Sequence, residues 1–174
     1  MKKFELTSET KINIFGKKLF RIKALISFAD VEAGETGGWV EKEGNVNQSG
    51  DAWVSGNAEV SGNAKVYGDA KVSDNAKVYG NAEVYGNAEV SGDAWVYGNA
   101  EVSGDADYTT IHGFGTQFRT TTFFRCKDKK VRVACGCFFG TIPEFREQVK
   151  NTRKGKIAEE YLMIADLMEK HFEK

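Results

Sequence analysis

From about Thr36 to Asp107 the apolar positions return every six residues, in the phrase Val-x-Gly-(Asn or Asp)-Ala-x. Valine stands at Val54, Val60, Val66, Val72, Val78, Val84, Val90, Val96 and Val102, and alanine keeps step from Ala52 to Ala106. A helix would scatter positions six apart around its circumference, and each interior glycine would cost it about 1 kcal/mol. Short strands joined by tight corners fit instead. Each phrase reads Ala inward, x outward, Val inward, Ser or Tyr outward, then a Gly-Asn or Gly-Asp corner, because side chains alternate across a strand and Gly, Asn and Asp tolerate positive φ. Three such sides close one triangular coil, so like positions stack at every third phrase.

The outward residues point to the same number. Read at every 18th position, Ser55, Ser73 and Ser91 fall on one side, Tyr79 and Tyr97 on a second, Tyr67 and Tyr85 on the third. Charges sort as well: Glu59 lies under Lys77, Lys65 under Glu83 and Lys71 under Glu89, where strands about 4.8 Å apart would bring each pair into contact. Corner residues stack alike, as in Asn63, Asn81 and Asn99. At three phrases per coil, the stretch from Thr36 to Asp107 makes about four coils. The first is irregular, with Val40 and Val46 assigned to alanine positions and Gln48 to a valine position, and Asp74 replaces a corner glycine.

Residues 1–35 alternate apolar side chains, Ile12 and Ile14 and then Phe20, Ile22 and Ala24, around Gly16-Lys17, which predicts a β-hairpin. Its expected task is to cap the prism, since an open end would present unpaired backbone groups and bare valines. Beyond Asp107 the repeat stops. Residues 108–118 read as a Gly-rich loop, and the runs Phe118–Cys126 and Val131–Phe138 around Asp128-Lys129-Lys130 read as a second hairpin. Thr141 and Glu144 have capping-box spacing with Pro143 in the first turn, predicting a short helix to about Asn151. A longer helix after Gly155 carries Ile157, Tyr161, Ile164, Ala165, Met168 and Phe172 on one face, to cover the hairpin or a neighbouring subunit. The fold class is thus mainly β, with a cap (1–35), a repeat body (36–107) and a C-terminal extension of a hairpin and two helices (108–174).

The repeat resembles that of the hexapeptide-repeat proteins, which wind a left-handed parallel β-helix. That resemblance supplies the left hand, because the period alone does not. The whole chain resembles small hexapeptide-repeat proteins of phages and prophages. The resemblance rests on the lead-in Phe20-Arg21-Ile22-Lys23-Ala24-Leu25, on Gly37-Gly38-Trp39-Val40-Glu41, and on the terminal Thr121-Thr122-Phe123-Phe124-Arg125, Cys135-Gly136-Cys137-Phe138 and Glu160-Tyr161-Leu162. It implies a phage or prophage product and a homotrimer, and supplies no reaction.

Composition narrows the function. The chain has 174 residues, 41% hydrophobic, and a formal charge of −1. No segment is apolar enough to cross a membrane, and no apolar run of signal-peptide length follows Met1-Lys2-Lys3, so the cytoplasm of the host bacterium is the expected location. Three cysteines, an odd number, agree with a reducing compartment. Charge is unevenly spread: 7 basic and 5 acidic residues in 1–35, 4 and 12 in 36–107, and 13 and 8 in 108–174. The basic excess gathers in the second hairpin, at Arg119, Arg125, Lys127, Lys129, Lys130 and Arg132, against Asp128 alone.

Hexapeptide-repeat acyltransferases use a histidine beside the prism, often on an extruded loop. Here the prism has neither a histidine nor an insertion, His112 has no carboxylate at an evident spacing, and His171 reads as an exposed side chain at the C-terminal end of a helix. Cys126, Cys135 and Cys137 with His112 lack a ligand-pair spacing, and Cys135 and Cys137 are expected on one strand face as small buried hydrophobes, so no metal or other cofactor is expected. The candidate ligand-binding residues are His112, Gly113, Gly115, Thr116, Gln117, Arg119 and Arg125, since glycine backbone and arginine forks suit phosphate. A second face, Lys77, Tyr79, Trp95 and Tyr97, offers a cation beside stacked rings, for a base, a protein or another subunit. The expected function is a non-enzymatic binding protein that sequesters a host factor or anionic signalling nucleotide as a counter-defence. The alternatives are a structural or docking module and a coenzyme A-dependent acyltransferase.

Overall fold

The structure, a computed structural model, describes residues 1–173 apart from the side chain of Asp105. Lys174, with which the expected C-terminal extension ends, lies outside the described residues. The chain divides into two compact units, Met1–Asp105 and Ala106–Lys174.

In the first unit, β1 (Phe4–Ile12) and β2 (Lys18–Ala24) form an antiparallel hairpin, and β3 (Thr36–Val40) pairs antiparallel with β2. The strands that follow are two residues long: β4 (Trp53–Val54), β5 (Glu59–Val60), β6 (Lys65–Val66), β7 (Lys71–Val72), β8 (Lys77–Val78), β9 (Glu83–Val84), β10 (Glu89–Val90), β11 (Trp95–Val96) and β12 (Glu101–Val102). They stack in parallel as three sheets, β3-β5-β8-β11 with the hairpin added at its edge, β4-β7-β10, and β6-β9-β12 extended by a bridge from Val46 to Val66. The result is a parallel β-solenoid of about four coils.

The pattern explains the packing. Alanines 52 to 100 and valines 54 to 102 of the repeat are at most 1% exposed, so the core is filled from small, well-fixed side chains, each valine contributing about 1.5 kcal/mol by burial. Corner residues sit at φ between 58° and 73°, Asp74 among them, and its carboxylate accepts the Gly92 N–H at 2.9 Å. The regular register holds across the outward residues. Glu59 pairs with Lys77, Lys65 with Glu83 and Lys71 with Glu89; Tyr67 stacks on Tyr85 at 5.0 Å and Tyr79 on Tyr97 at 4.6 Å. Asn63 donates to Asn81, which donates to Asn99, at 3.2 and 3.3 Å.

The first coil departs from the expectation. Val40 pairs with Val60 and Val46 with Val66, so both occupy valine positions, and this coil is two residues longer than the regular ones. The two additional residues lie in the corner after Val46, where Asn47 accepts from Ser49 N in a tight turn and Gln48 leaves the core. Gln48 Oε1 instead accepts the Lys3 and Phe4 N–H groups at 2.8 and 3.2 Å.

That detour belongs to the cap, which satisfies the carbonyls that a preceding coil would have bonded. Lys3 Nζ donates to Gly50 O at 3.0 Å and Ala52 O at 2.7 Å. One coil on, the matching carbonyls of Gly68 and Ala70 receive the backbone N–H of Ala52 and Trp53. On the next face Asn45 Nδ2 donates to Gly62 O and Ala64 O at 3.2 and 2.9 Å, where Gly80 and Ala82 one coil on receive Asn63 N and Lys65 N. On the third face β3 supplies the partner strand. Burial pushes the Lys3 ammonium down to about 8, against a smaller upward pull from Asp51. The hairpin tip is not buried as its alternation suggested: Ile12, Ile14 and Phe15 are 66%, 63% and 47% exposed. A register break between Leu6 and Thr10 turns that end of β1 away from the alternation.

The second unit holds more strand than expected. Residues 108–118, read as a loop, are mostly strand: β13 (Tyr108–Phe114) joins β14 (Arg119–Arg125), β15 (Val131–Cys135) and β16 (Phe138–Thr141) in one antiparallel sheet. The helix α1 (Ile142–Thr152) starts as predicted, with Thr141 N donating to Glu144 at 2.7 Å and Glu144 N to Thr141 Oγ1 at 3.4 Å. Helix α2 (Gly155–Phe172) turns Tyr161, Ile164, Ala165, Met168 and Phe172 onto a core shared with Phe123, Val133, Phe145 and Val149. It therefore covers the sheet of its own unit. No helix among the described residues is long and apolar enough to cross a membrane.

Candidate functional site

The sequence candidates from His112 to Arg119 sit at the β13–β14 turn of the second unit. The register shifts between Ile111 and Phe114, where Gly113 takes φ +90°, so His112 and Gly113 form an irregularity in a strand. His112 is exposed, and its Nδ1 lies 3.1 Å from Thr120 Oγ1. Gly115 is required by a close approach: at φ +73°, a Cβ there would stand 2.5 Å from the Tyr161 hydroxyl, which donates to Phe114 O at 3.2 Å. Thr116 and Gln117 are exposed. Phe118 follows at φ +48° with 64% of its surface exposed. A bulky residue held in left-handed backbone and left in water gains little from packing and carries strain, the combination that marks functional turns.

Arg119 then crosses the β15–β16 turn. Gly136 there has φ +60°, and a Cβ on it would stand 2.7 Å from Arg119 Nη1. Arg153, just past the end of α1, donates from Nη1 to Thr152 O at 3.2 Å. Both guanidiniums lie near enough to the Tyr161 phenol to draw its pKa down. Burial and the Cys135 thiol beside it outweigh them and hold the phenol above its usual range. Thr121 Oγ1 donates to Cys135 Sγ at 3.1 Å behind this group.

The arginines of the unit divide by partner. Arg125 bonds Asp107 at 3.2 Å through Nε and Phe172 O at 3.0 Å through Nη2, and stacks over the Phe172 ring. Arg132 is paired with Asp128 at 2.7 Å, and Arg146 with Asp166 and Glu169, both at 2.7 Å. Among the described residues Arg119 and Arg153 have no carboxylate within ion-pair distance. Arg125 stands at the far end of β14 from Arg119, roughly 20 Å away at about 3.4 Å per residue. The expected grouping of Arg125 with the loop therefore does not form. Arg153, Tyr161 and Phe118 are in the group, although the sequence reading does not single them out. The available signal is Arg153-Lys154-Gly155-Lys156, inside a stretch with no acidic residue between Glu147 and Glu159.

In the first unit, register brings Lys77, Tyr79, Trp95 and Tyr97 onto one face as expected. Lys77 Nζ is 3.4 Å from Glu59, which also takes Lys11 at 2.8 Å, so the cation is engaged within the ladder. Tyr79 is stacked on Tyr97 and met by the tilted Phe15 ring at 4.7 Å, and burial lifts its phenol well above the usual range.

The cysteines are free and stand apart in character. Cys126 is buried and pushed up to about 11, chiefly by that burial. Strand β15 ends at Cys135 and Cys137 lies exposed in the following turn, so the two do not share a strand face as expected. No group of three or more His, Cys, Asp or Glu side chains able to hold a metal ion occurs among the described residues. Neither a protein-family model nor a curated protein sequence matches the chain.

Proposed function

We propose that the chain is a non-enzymatic phage-type binding protein whose C-terminal unit captures an anionic small molecule, a signalling nucleotide, and so withdraws a host factor from a defence response. The observation that carries this reading is the pairing of the arginines. Three in the unit are engaged by carboxylates, while Arg119, at the start of β14, and Arg153, just past the end of α1, have none within ion-pair distance among the described residues. Two guanidinium forks are matched to phosphate oxygens. The exposed Phe118 ring beside Arg119 offers a platform for a base, and Thr116 and Gln117 offer hydrogen bonds. The phage type, and the left-handed sense of the winding, rest on the sequence resemblance.

A thermal-shift screen tests it, with cyclic di- and trinucleotides, ADP-ribose, short oligonucleotides and acetyl-coenzyme A on the wild type and on Arg119→Ala, Arg153→Ala and Phe118→Ala. Stabilisation by an anionic nucleotide, lost in the arginine variants and with the ligand released intact, supports capture. Conversion of the ligand would replace capture by catalysis, and of acetyl-coenzyme A in particular by acyl transfer. No stabilisation by any anion rejects the reading.

A second reading, protein docking or self-association into a trimer, is favoured by the apolar hairpin tip. Ile12, Ile14 and Phe15 are exposed, and Phe15 lies against Tyr79 of the Tyr79–Tyr97 stack, an arrangement that suits an interface. Light scattering separates it: a monomer at micromolar concentration removes the trimer.

A further inference from the structure

On the β6-β9-β12 side of the first unit the outward ladders stop one coil short, and a groove of about 570 Å³ lies at that end. Val46 bridges to Val66 and the Asn47 N–H donates to Val66 O at 2.9 Å, so Asn45 and Asn47 come beside Lys65 and Tyr67. Neither continues the ladder it meets. Asn45 turns inward, fully buried, to donate to Gly62 O and Ala64 O, and Asn47 Oδ1 is tied back to Ser49 N at 3.0 Å. The groove is lined by Gly44, Asn47 and Gln48 of the first coil and by Lys65 and Tyr67 of the next.

Two groups at this groove lack what their counterparts have. Tyr67 lies parallel to Tyr85 within 3° at 5.0 Å, and since Tyr85 is one coil on, the remaining face of Tyr67 is turned toward the first coil. In the other tyrosine ladder Tyr79 is stacked on Tyr97 and also met by Phe15, whereas Tyr67 meets no third ring among the described residues. Lys65 stands beside Glu83 in the register, yet Glu83 Oε2 accepts the Tyr67 hydroxyl at 3.0 Å. The exposed Lys65 ammonium has no carboxylate within ion-pair distance among the described residues. The other acid lining the groove, Glu43, is held by Lys2 and by Gln48, both at 2.9 Å. A ligand that answers both groups carries a flat ring for Tyr67 and an acid group for Lys65, roughly 7 Å apart, the spacing of alternate residues on one strand face. A neutral ring leaves Lys65 without a counter-charge, an aliphatic acid leaves the Tyr67 face bare, and a cationic ring is repelled by the ammonium. The volume lies in the range of small-molecule sites. We infer that this groove is a binding site for a small aromatic carboxylate, independent of the anion site proposed for the second unit.

The test is calorimetric titration of the full chain with 3-(4-hydroxyphenyl)propionate, against its amide, hexanoate and tyramine, which in turn lack the charge, lack the ring and reverse the charge. The expected result is saturable binding of the aromatic acid, with the amide and hexanoate weaker by about tenfold or more and tyramine not bound. Lys65→Met, which keeps the stem but removes the cation, then weakens the acid by about tenfold, and Asn47→Tyr, which supplies a third ring to the ladder, blocks it, both variants keeping the wild-type circular dichroism. Arg119→Ala with Arg153→Ala leaves the affinity within about twofold, which separates this groove from the site in the second unit. No binding of the aromatic acid, equal binding of its amide or of hexanoate, binding of tyramine, unchanged affinity in the folded Lys65→Met and Asn47→Tyr variants, or loss of affinity in the double arginine variant overturns the assignment.

Discussion

The two units use charge in opposite ways. In the solenoid most outward positions have a defined neighbour one coil away, and the repeat often uses that neighbour: Glu59 with Lys77, Lys65 with Glu83, tyrosine on tyrosine, asparagine on asparagine. Polar groups in such a body are consumed by the ladder, and Lys77, which looks like a ligand cation in isolation, is one of them. The C-terminal unit has no repeat to impose partners. Its arginines are placed one at a time, three against carboxylates and two against open surface and a strained turn. A cation's availability therefore follows from the regularity of its surroundings more than from the local density of charge, and the densest basic run, around Lys129 and Lys130, does not contain the unpaired arginines.

The largest expected effect breaks the regular side. Val78→Asp places an unpaired carboxylate in the middle of the solenoid core, and should cost more than about 4 kcal/mol, enough to unfold the unit. All three tryptophans lie in this unit, so urea unfolding followed by tryptophan fluorescence reads it directly. Next in size, Phe145→Ala opens the core of the C-terminal unit and should cost about 3–5 kcal/mol, seen in thermal melts by circular dichroism.

The cap gives a smaller effect with a pH signature. Lys3→Met leaves the Gly50 and Ala52 carbonyls without their donor, at a cost of about 1–3 kcal/mol for buried acceptors. Lys3 loses its proton at about 8 in the folded chain, against 10.5 in the unfolded one. Between those values the unfolded chain binds more protons, so wild-type stability rises with pH relative to the variant, by on the order of 2 kcal/mol. Denaturant melts of both proteins at pH 7.5 and 10 check the sign, and a gap that narrows with pH contradicts it. Smaller again is the corner at Asp74. Asp74→Ala keeps the φ of +58° but loses the bond to Gly92, at about 1–2 kcal/mol, whereas Asp74→Gly relieves the backbone while losing the same bond and should be near neutral.

Legibility in the sequence follows the same division. The solenoid is readable because its contacts repeat at one fixed separation, so one phrase predicts the core, the register and the ladders at once. Its first coil is misread because Gln48 answers to Lys3 and Phe4 at the start of the chain, and no period carries that information. In the C-terminal unit the Thr141–Glu144 cap and the α2 face are legible because both are local. The β13 strand is not, since Gly113 and Gly115 read as loop, while residues 108–111 and Phe114 on either side of Gly113 pair with β14. The pairing of Arg125 with Asp107 and the approach of Arg153 to Tyr161 are likewise tertiary, which is why the sequence places the first in the candidate site and passes over the second.

The central claim is that unpaired arginines, and not basic density, make the anion site, and calorimetric titration with cyclic di-AMP and with pyrophosphate on four proteins tests it most directly. The account predicts that Arg119→Ala with Arg153→Ala changes stability by less than about 0.5 kcal/mol, as surface substitutions do, yet weakens anion binding at least tenfold. It predicts that Lys129→Ala with Lys130→Ala leaves the affinity within about threefold, and that Arg125→Ala lowers stability while the folded fraction binds as the wild type does. Binding that survives loss of Arg119 and Arg153 and disappears with Lys129 and Lys130 would contradict it.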